Sequence, residues 1–151
     1  MSVPPSHFIA GMRRLAAGVT IVTSGLGDLR AGLTATSVCS LTVEPPRLLV
    51  CINRDADAHA LILRSRAFAI NVLVPSQREL AVQFGRRDAG LLADKFSLGE
   101  WVRGSTGAPV LSGAAASFEC GLVEALEAST HSIFIGEVKA AYFDEQAEAR
   151  S

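Results

Sequence analysis

The chain has 151 residues, a formal net charge of -1 at pH 7 and 49% hydrophobic residues, which suits one domain spanning 1–151 with a real core and is short for two. There is no basic surplus to draw nucleic acid, and the longest apolar stretches are strand length, well short of the roughly 20 residues of a membrane helix. Three cysteines, Cys39, Cys51 and Cys120, are odd in number, widely spaced and without a CxxC, which argues against a disulfide framework or a zinc site and for small apolar residues in a reducing cytoplasm.

The N-terminus, Met-Ser-Val-Pro-Pro, has no charged leader followed by an apolar run, so no secretion signal is expected. Ser6 is placed to cap a helix reaching about Ala17, with Phe8, Met12 and Leu15 on one face. The period then changes: Val19 to Thr23 is β-branched, and Gly25 to Asp28 reads as a turn. A second strand is expected from Leu29 through Gly32 to Val38. Glu44-Pro45-Pro46 must be a loop, because proline cannot donate to a ladder. Leu48 to Ile52 is a continuous apolar run, expected to be buried on both faces. Asp55 or Asp57 is expected to cap a short helix ending near Ser65, and Phe68 to Val74 is another strand. Ser76-Gln77-Arg78-Glu79 fits a capping box, opening a helix to Phe84. Residues 85–108 carry charges and glycines without periodicity and read as a long excursion, of the kind that is often functional. Ala115 to Leu126 is a long strand with Phe118, Cys120 and Leu122 on one face. Ser129-Thr130-His131 makes a turn, and Ile133 to Val138 returns. The tail from Asp144 is polar and alanine-rich and is expected to fray or to be weakly helical. This order implies an antiparallel β barrel with helices packed outside.

Three segments have the residues for binding chemistry. Thr34-Ala35-Thr36-Ser37-Val38-Cys39-Ser40 puts four hydroxyls in seven residues. Such a stretch can hold a phosphate or the polar edge of a planar ring, although on composition alone a threonine-rich strand with one wet face is the commoner reading. In Cys51-Ile52-Asn53-Arg54-Asp55, an arginine at a strand end can grip a phosphate or simply sit in a solvated turn. His131, at a strand entry, can meet a ligand near neutral pH or be a turn residue without a role. His7 and His59 fall on expected helices and form no metal-like spacing with it, so no metal is expected. No GxGxxG, P-loop or GxSxG elbow is present.

Taken in order, the segments resemble the flavin reductase family, the reductase components of two-component flavin-dependent monooxygenases. Met12 to Thr23 is similar to the family's opening helix and first strand. Gly32 to Ser40, Leu41 and Pro45-Pro46 are similar to its flavin-binding segment, and Phe68-Ala69-Ile70-Asn71-Val72-Leu73 to a further strand. Phe84-Gly85 ends the next helix, and His131 to Val138, with Gly136-Glu137-Val138, is similar to a signature near the C-terminus. The similarity runs from about residue 8 to 143.

The resemblance implies a six-stranded antiparallel split β-barrel of Greek-key type with a few flanking helices, acting as a homodimer. It implies FMN or FAD as the flavin and NADH or NADPH as hydride donor, with reduced flavin handed to a partner monooxygenase. Thr34, Ala35, Thr36, Ser37 and Val38, with Ser40 and Leu41, would line the ring and ribityl chain. Asn53, Arg54 and Asp55, and His59 on the following helix, would meet the phosphate end or an adenosine. Phe84 would close the pocket, and His131 would meet the nicotinamide nucleotide. Where the family often has lysines or serines, this chain has Asp55, Ala56 and Asp57, with Arg54 as the adjacent cation. Two other readings share the resemblance: a flavoprotein holding FMN tightly as oxidase or electron carrier, and a non-catalytic flavin-binding module.

Overall fold

A computed structural model describes residues 2–86 and 94–144. Two proline-rich and glycine-rich turns, the Pro45-Pro46 corner and the Gly27 hairpin, divide the first third into short strands: β1 (Thr20–Leu26), β2 (Leu29–Ala35), β3 (Val38–Thr42) and β4 (Arg47–Asn53). Helix α2 (Asp57–Ser65), strand β5 (Ala67–Val72) and helix α3 (Arg78–Phe84) follow. The ribbon β6 (Trp101–Arg103) and β7 (Pro109–Leu111) precedes the long hairpin β8 (Ala116–Ala128) and β9 (His131–Phe143). A short helix α1 (Pro5–Met12) opens the chain.

The β-rich expectation holds: one antiparallel sheet runs β2-β1-β5-β8-β9-β4-β3. The strand count is corrected, because this sheet has seven strands and is open, with β6 and β7 paired apart from it. Its strands nevertheless share one interior. Val22 of β1, Ala35 of β2, Val50 and Ile52 of β4, Phe68 and Ile70 of β5, Cys120 of β8 and Phe134 of β9 form a single buried cluster. Strands β1 and β4 have three strands between them in the order, so their side chains meet only because the sheet curls on itself, as twisted sheets do. Ile62 of α2 plugs the same interior. Each fully buried Phe there is worth about 2–3 kcal/mol of transfer free energy. Gly136 permits the crossing: a Cβ there would lie 2.5 Å from Phe68 Cζ and 2.7 Å from Cys120 Cβ.

A second cluster lies on the outer side of β1. Ile21 packs with Leu80 and Phe84 of α3, with Phe96, and with Leu111 of β7. Asn71, fully buried in β5, fixes this layer: its Nδ2 donates to Ile21 O (3.1 Å), and its Oδ1 accepts from Leu111 N (3.0 Å) and Ser117 Oγ (2.9 Å).

Several boundaries differ from expectation. Helix α1 starts at Pro5 and ends at Met12, with Pro4 at its cap and no side-chain cap, so Ser6 lies inside it. None of its residues is buried, and Phe8, Met12 and Leu15 are exposed. The strand expected to reach Val38 breaks at Thr36-Ser37, where β2 ends and the edge strand β3 begins. Leu48 to Ile52 alternates instead of being buried throughout, with Leu48, Val50 and Ile52 inside and Leu49 and Cys51 half-buried on the other face. The cap of α2 is Ala56, with neither Asp55 nor Asp57 capping. Gln77 replaces Ser76 in the reciprocal bond, accepting from Val74 N at 2.9 Å, and α3 proper starts at Arg78. The excursion 85–108 contains a 3-10 turn (Lys95–Ser97) and β6; residues 87–93 lie outside the described residues. His131 is the first residue of β9 and not part of the turn. Only Cys120 is buried; Cys51 is half-buried and Cys39 exposed, and all three are free. The frayed-tail expectation falls, beyond Asp144, outside the described residues.

Candidate functional site

A cleft of about 350 Å³ opens between β2, the β4–α2 corner, the end of α3 and the 3-10 turn, within the size of small-molecule sites. Its lining includes Arg30, Gly32, Leu33 and Thr34 from β2, Asn53, Asp55, Ala56 and Asp57 from the corner, and Phe84, Arg86, Asp94, Lys95 and Phe96.

The floor follows from one missing side chain. A Cβ on Gly32 would stand 2.7 Å from Phe84 Cε1 and 2.9 Å from Cδ1, so only glycine lets β2 lie on that ring. Phe84 is held in turn by Phe96 (centroids 5.0 Å, edge-on) and Trp101 (5.3 Å), an aromatic trio beneath the cleft. Thr34 Oγ1 donates to Ala81 O at 2.6 Å and ties β2 to α3.

One wall is cationic. Lys95 Nζ donates to Gly32 O (3.2 Å) and to Phe84 O (3.1 Å), the latter a carbonyl at the C-terminal end of α3 where a cation is favoured. Burial lowers its pKa, and Asp57 opposes that shift. Arg30 is paired with Asp94 at 2.7 Å and lies 4.6 Å over the Phe96 ring. Asp94 is held below its ordinary range chiefly by the Phe96 N–H, which it caps at 3.0 Å, with Arg30 also contributing. The opposite corner is acidic. Asn53 Oδ1 accepts from Asp55 N (2.8 Å) and Asn53 O from Ala56 N (3.1 Å), a turn that sets Asp55 and Asp57 at the head of α2.

Of the residues marked in the sequence, the structure brings Thr34, Asn53, Asp55 and Phe84 to this cleft. Ala35 is buried in the interior, and Val38 packs against it. Thr36, Ser37, Ser40 and Leu41 are exposed on or beside β3. Arg54 turns away, with Nη1 on Ser129 O (3.2 Å) and Nη2 on Glu127 (3.5 Å) of the β8–β9 hairpin. His59 packs on Phe134 (centroids 5.0 Å) with Nε2 2.8 Å from Ser132 Oγ; burial, and then Arg54, lowers its pKa, with Glu127 opposing. His131 pairs with Asn53 across the ladder, and its Nδ1 lies 2.9 Å from Thr130 Oγ1. Sequence reasoning missed Arg30, Arg86, Lys95 and Phe96 as lining residues. The only signal for the last two was their place in an aperiodic, charged excursion.

Chemically, the cleft offers an aromatic floor that accepts a planar ring close to backbone, and cations for a phosphate on one side. The comparisons agree with that shape. The flavin reductase-like domain family matches residues 12–150. An FMN reductase (NADH), RutF, of Stutzerimonas stutzeri strain A1501 is 42% identical over 91% of this chain and 78% of its own length. The structure of the NADH:FAD oxidoreductase SgcE6 of Streptomyces globisporus C-1027, in complex with NAD and FAD fragments, superposes with a TM-score of 0.83 at 34% identity, covering 95% of this chain and 87% of that one. BorF, the flavin reductase component of a bacterial two-component tryptophan halogenase, gives a TM-score of 0.80 at 37% identity, with 93% and 88% covered. The chain belongs to the flavin reductase family.

Proposed function

We propose that the chain is a single-domain NADH-dependent reductase of FMN, or of FAD, that releases reduced flavin to a partner monooxygenase. The observation that carries the reading is the cleft itself: a floor where the β2 backbone lies on the Phe84 ring because Gly32 lacks a Cβ, beside a wall bearing Arg30, Lys95 and Arg86. The flavin and the nicotinamide supply the hydride chemistry. The chain's residues bind, orient and exclude water. Gly32, Leu33 and Phe84 seat the ring, and Thr34 holds β2 against α3. Lys95 and Arg86 attract the phosphate. Asn53 fixes the corner through which the second nucleotide enters, with His131 beside it on β9. No proton donor is needed in the hydride step.

The open sheet leaves β3 as an unpaired edge, with Leu41 and Leu126 exposed and Leu49, Ile133 and Ile135 half-covered on the adjoining outer face. A second copy on this face would close the split barrel and bring Ser40 and Leu41 toward a cleft. No helix among the described residues is long and apolar enough to cross a membrane, and three free thiols suit a reducing cytoplasm.

The test is NADH oxidation with FMN or FAD in large excess over protein, followed by dialysis. Many turnovers and loss of flavin on dialysis are expected. Flavin retained without turnover of added flavin would mark a tightly bound FMN carrier or oxidase. Flavin binding without NADH oxidation would mark a non-catalytic module.

A further inference from the structure

On strand β2, Thr34 bonds α3, Gly32 lies on Phe84 and Arg30 lies over Phe96, alternate residues on one face of the strand. Arg30 therefore stands about 7 Å along the strand from Gly32. It lines the cleft and also a second, smaller slot of about 90 Å³, which opens between the Gly27 hairpin and the β6–β7 ribbon. Whole cofactor sites start near about 300 Å³, so a slot of this size is a subsite of the cleft beside it. Its walls include Leu29, Trp101, Val102 and Pro109, with Leu29 and Val102 exposed. The walls are held by the protein itself. Trp101 packs on Phe96 (centroids 5.0 Å), and its Nε1 donates to Leu98 O at 2.8 Å. Arg103 Nη2 donates to Gly27 O and ties the hairpin to the ribbon. Arg30 is presented here as a flat surface more than as a free charge. Its guanidinium lies 4.6 Å over the Phe96 ring, and Asp94 pairs with it at 2.7 Å. The side chain nevertheless stays 45% exposed. A guanidinium held in this way stacks a further planar ring. Because its charge is already paired with Asp94, a neutral ring suits it better than a second anion.

We propose that this slot is an adenine subsite, where the base of an adenine dinucleotide stacks on the Arg30 guanidinium beside Trp101 while the reacting ring lies at Gly32 and Phe84. FAD and NADH both carry such a base, and FMN does not. The inference rests on the reductase reading and gives the chain a physical basis for gripping a dinucleotide beyond its reacting half.

The test uses the whole chain. Adenosine, which has no phosphate, is titrated into flavin-free protein and followed by the fluorescence of the single tryptophan, Trp101. A saturable change is expected, and adenosine should compete with FAD or NADH but not with FMN. Displacement of FMN by adenosine would put the base at the ring floor and overturn the subsite. Kd for FAD and for FMN, and KM for NADH with FMN as acceptor, are then measured in wild type, Arg30→Lys and Arg30→Met. Both variants should lose the adenosine response and about tenfold in affinity for the dinucleotide, the order of one base-stacking contact, because lysine keeps the charge but not the plane. A fall in FAD affinity assigns the slot to the flavin's adenine, and a rise in KM for NADH assigns it to the donor's. Loss in Arg30→Met with full retention in Arg30→Lys would show attraction of charge and overturn stacking. So would variants that melt like wild type and leave every readout unmoved. The adenosine titration needs no variant, so it decides the matter should both substitutions disturb the 3-10 turn. Lys95→Met separates the two levels. If it weakens FMN binding while adenosine affects neither Trp101 nor either dinucleotide, the adenine subsite alone fails. If it leaves FMN binding unchanged, the reading of the cleft fails, and the subsite with it.

Discussion

Replacing Asn71 with alanine tests how the outer layer beneath the cleft is held. The amide is fully buried and joins four partners: Ile21 O, Thr23 Oγ1 (3.4 Å), Leu111 N and Ser117 Oγ. Thr23 Oγ1 in turn donates to Pro109 O at 2.6 Å, so one side chain and its neighbour pin both ends of β7 to the sheet. In Asn71→Ala the Leu111 N–H is left buried without its acceptor, which costs about 1–3 kcal/mol. The lost packing and the remaining broken bonds bring the total to about 3–4 kcal/mol, a large part of the roughly 5–15 kcal/mol of a whole domain. For a chain of this size that is a fall in Tm of about 10 °C. Urea denaturation followed by the single tryptophan, Trp101, reports the change directly, because Trp101 packs on Phe84 and Phe96 in the layer that β7 supports. The midpoint should drop with the slope unchanged. A loss below about 1 kcal/mol would refute the account of β7 as pinned by this amide.

Other consequences follow from the same geometry. Gly32→Ala drives a Cβ into the Phe84 ring and should cost about 1–3 kcal/mol while weakening FMN affinity, read by a thermal melt and by quenching of flavin fluorescence. Burial pushes the Glu119 pKa up, but hydrogen bonds from Tyr142, Thr106 and Ser105 together outweigh it and hold the carboxyl below its ordinary value. Its contribution to stability is therefore complete above the unfolded value, about 4.3, and disappears as pH falls through the lower folded value. Glu119→Gln should flatten that acid limb of the stability curve while lowering stability at pH 7. Burial raises the Cys120 thiol to about 12. A thiol reagent at neutral pH should modify exposed Cys39 in the native protein, and Cys120 only after unfolding, as mass spectrometry can show.

The β-strands were legible where alternation was strong. Phe118, Cys120 and Leu122 lie on the interior side as their spacing indicates. Strand β4 was misread because Leu49 and Cys51 are apolar yet face outward, where period-2 reasoning has no contrast to use. Helix α1 was overextended because an apolar stripe signals a covered face, whereas this one has no cover among the described residues. At the site, the β2 hydroxyl stretch was found but its reach was overestimated. The strand break at Thr36-Ser37 separates Thr34, which lines the cleft, from Ser40 and Leu41, which lie on the edge strand. Arg54 was credited with a phosphate because its hairpin partners, Ser129 and Glu127, are more than 70 positions away. Lys95 was invisible for the same reason: its partners, Gly32 and Phe84, meet only in the folded chain.

The central claim is that flavin occupies the cleft floored by Phe84 and Gly32. A crystal structure of the protein grown with FMN tests it most directly. The account predicts a flavin ring over Gly32 and Phe84 with its phosphate toward Lys95 and Arg86. Flavin bound at any other place on the chain, with this cleft empty, would contradict it.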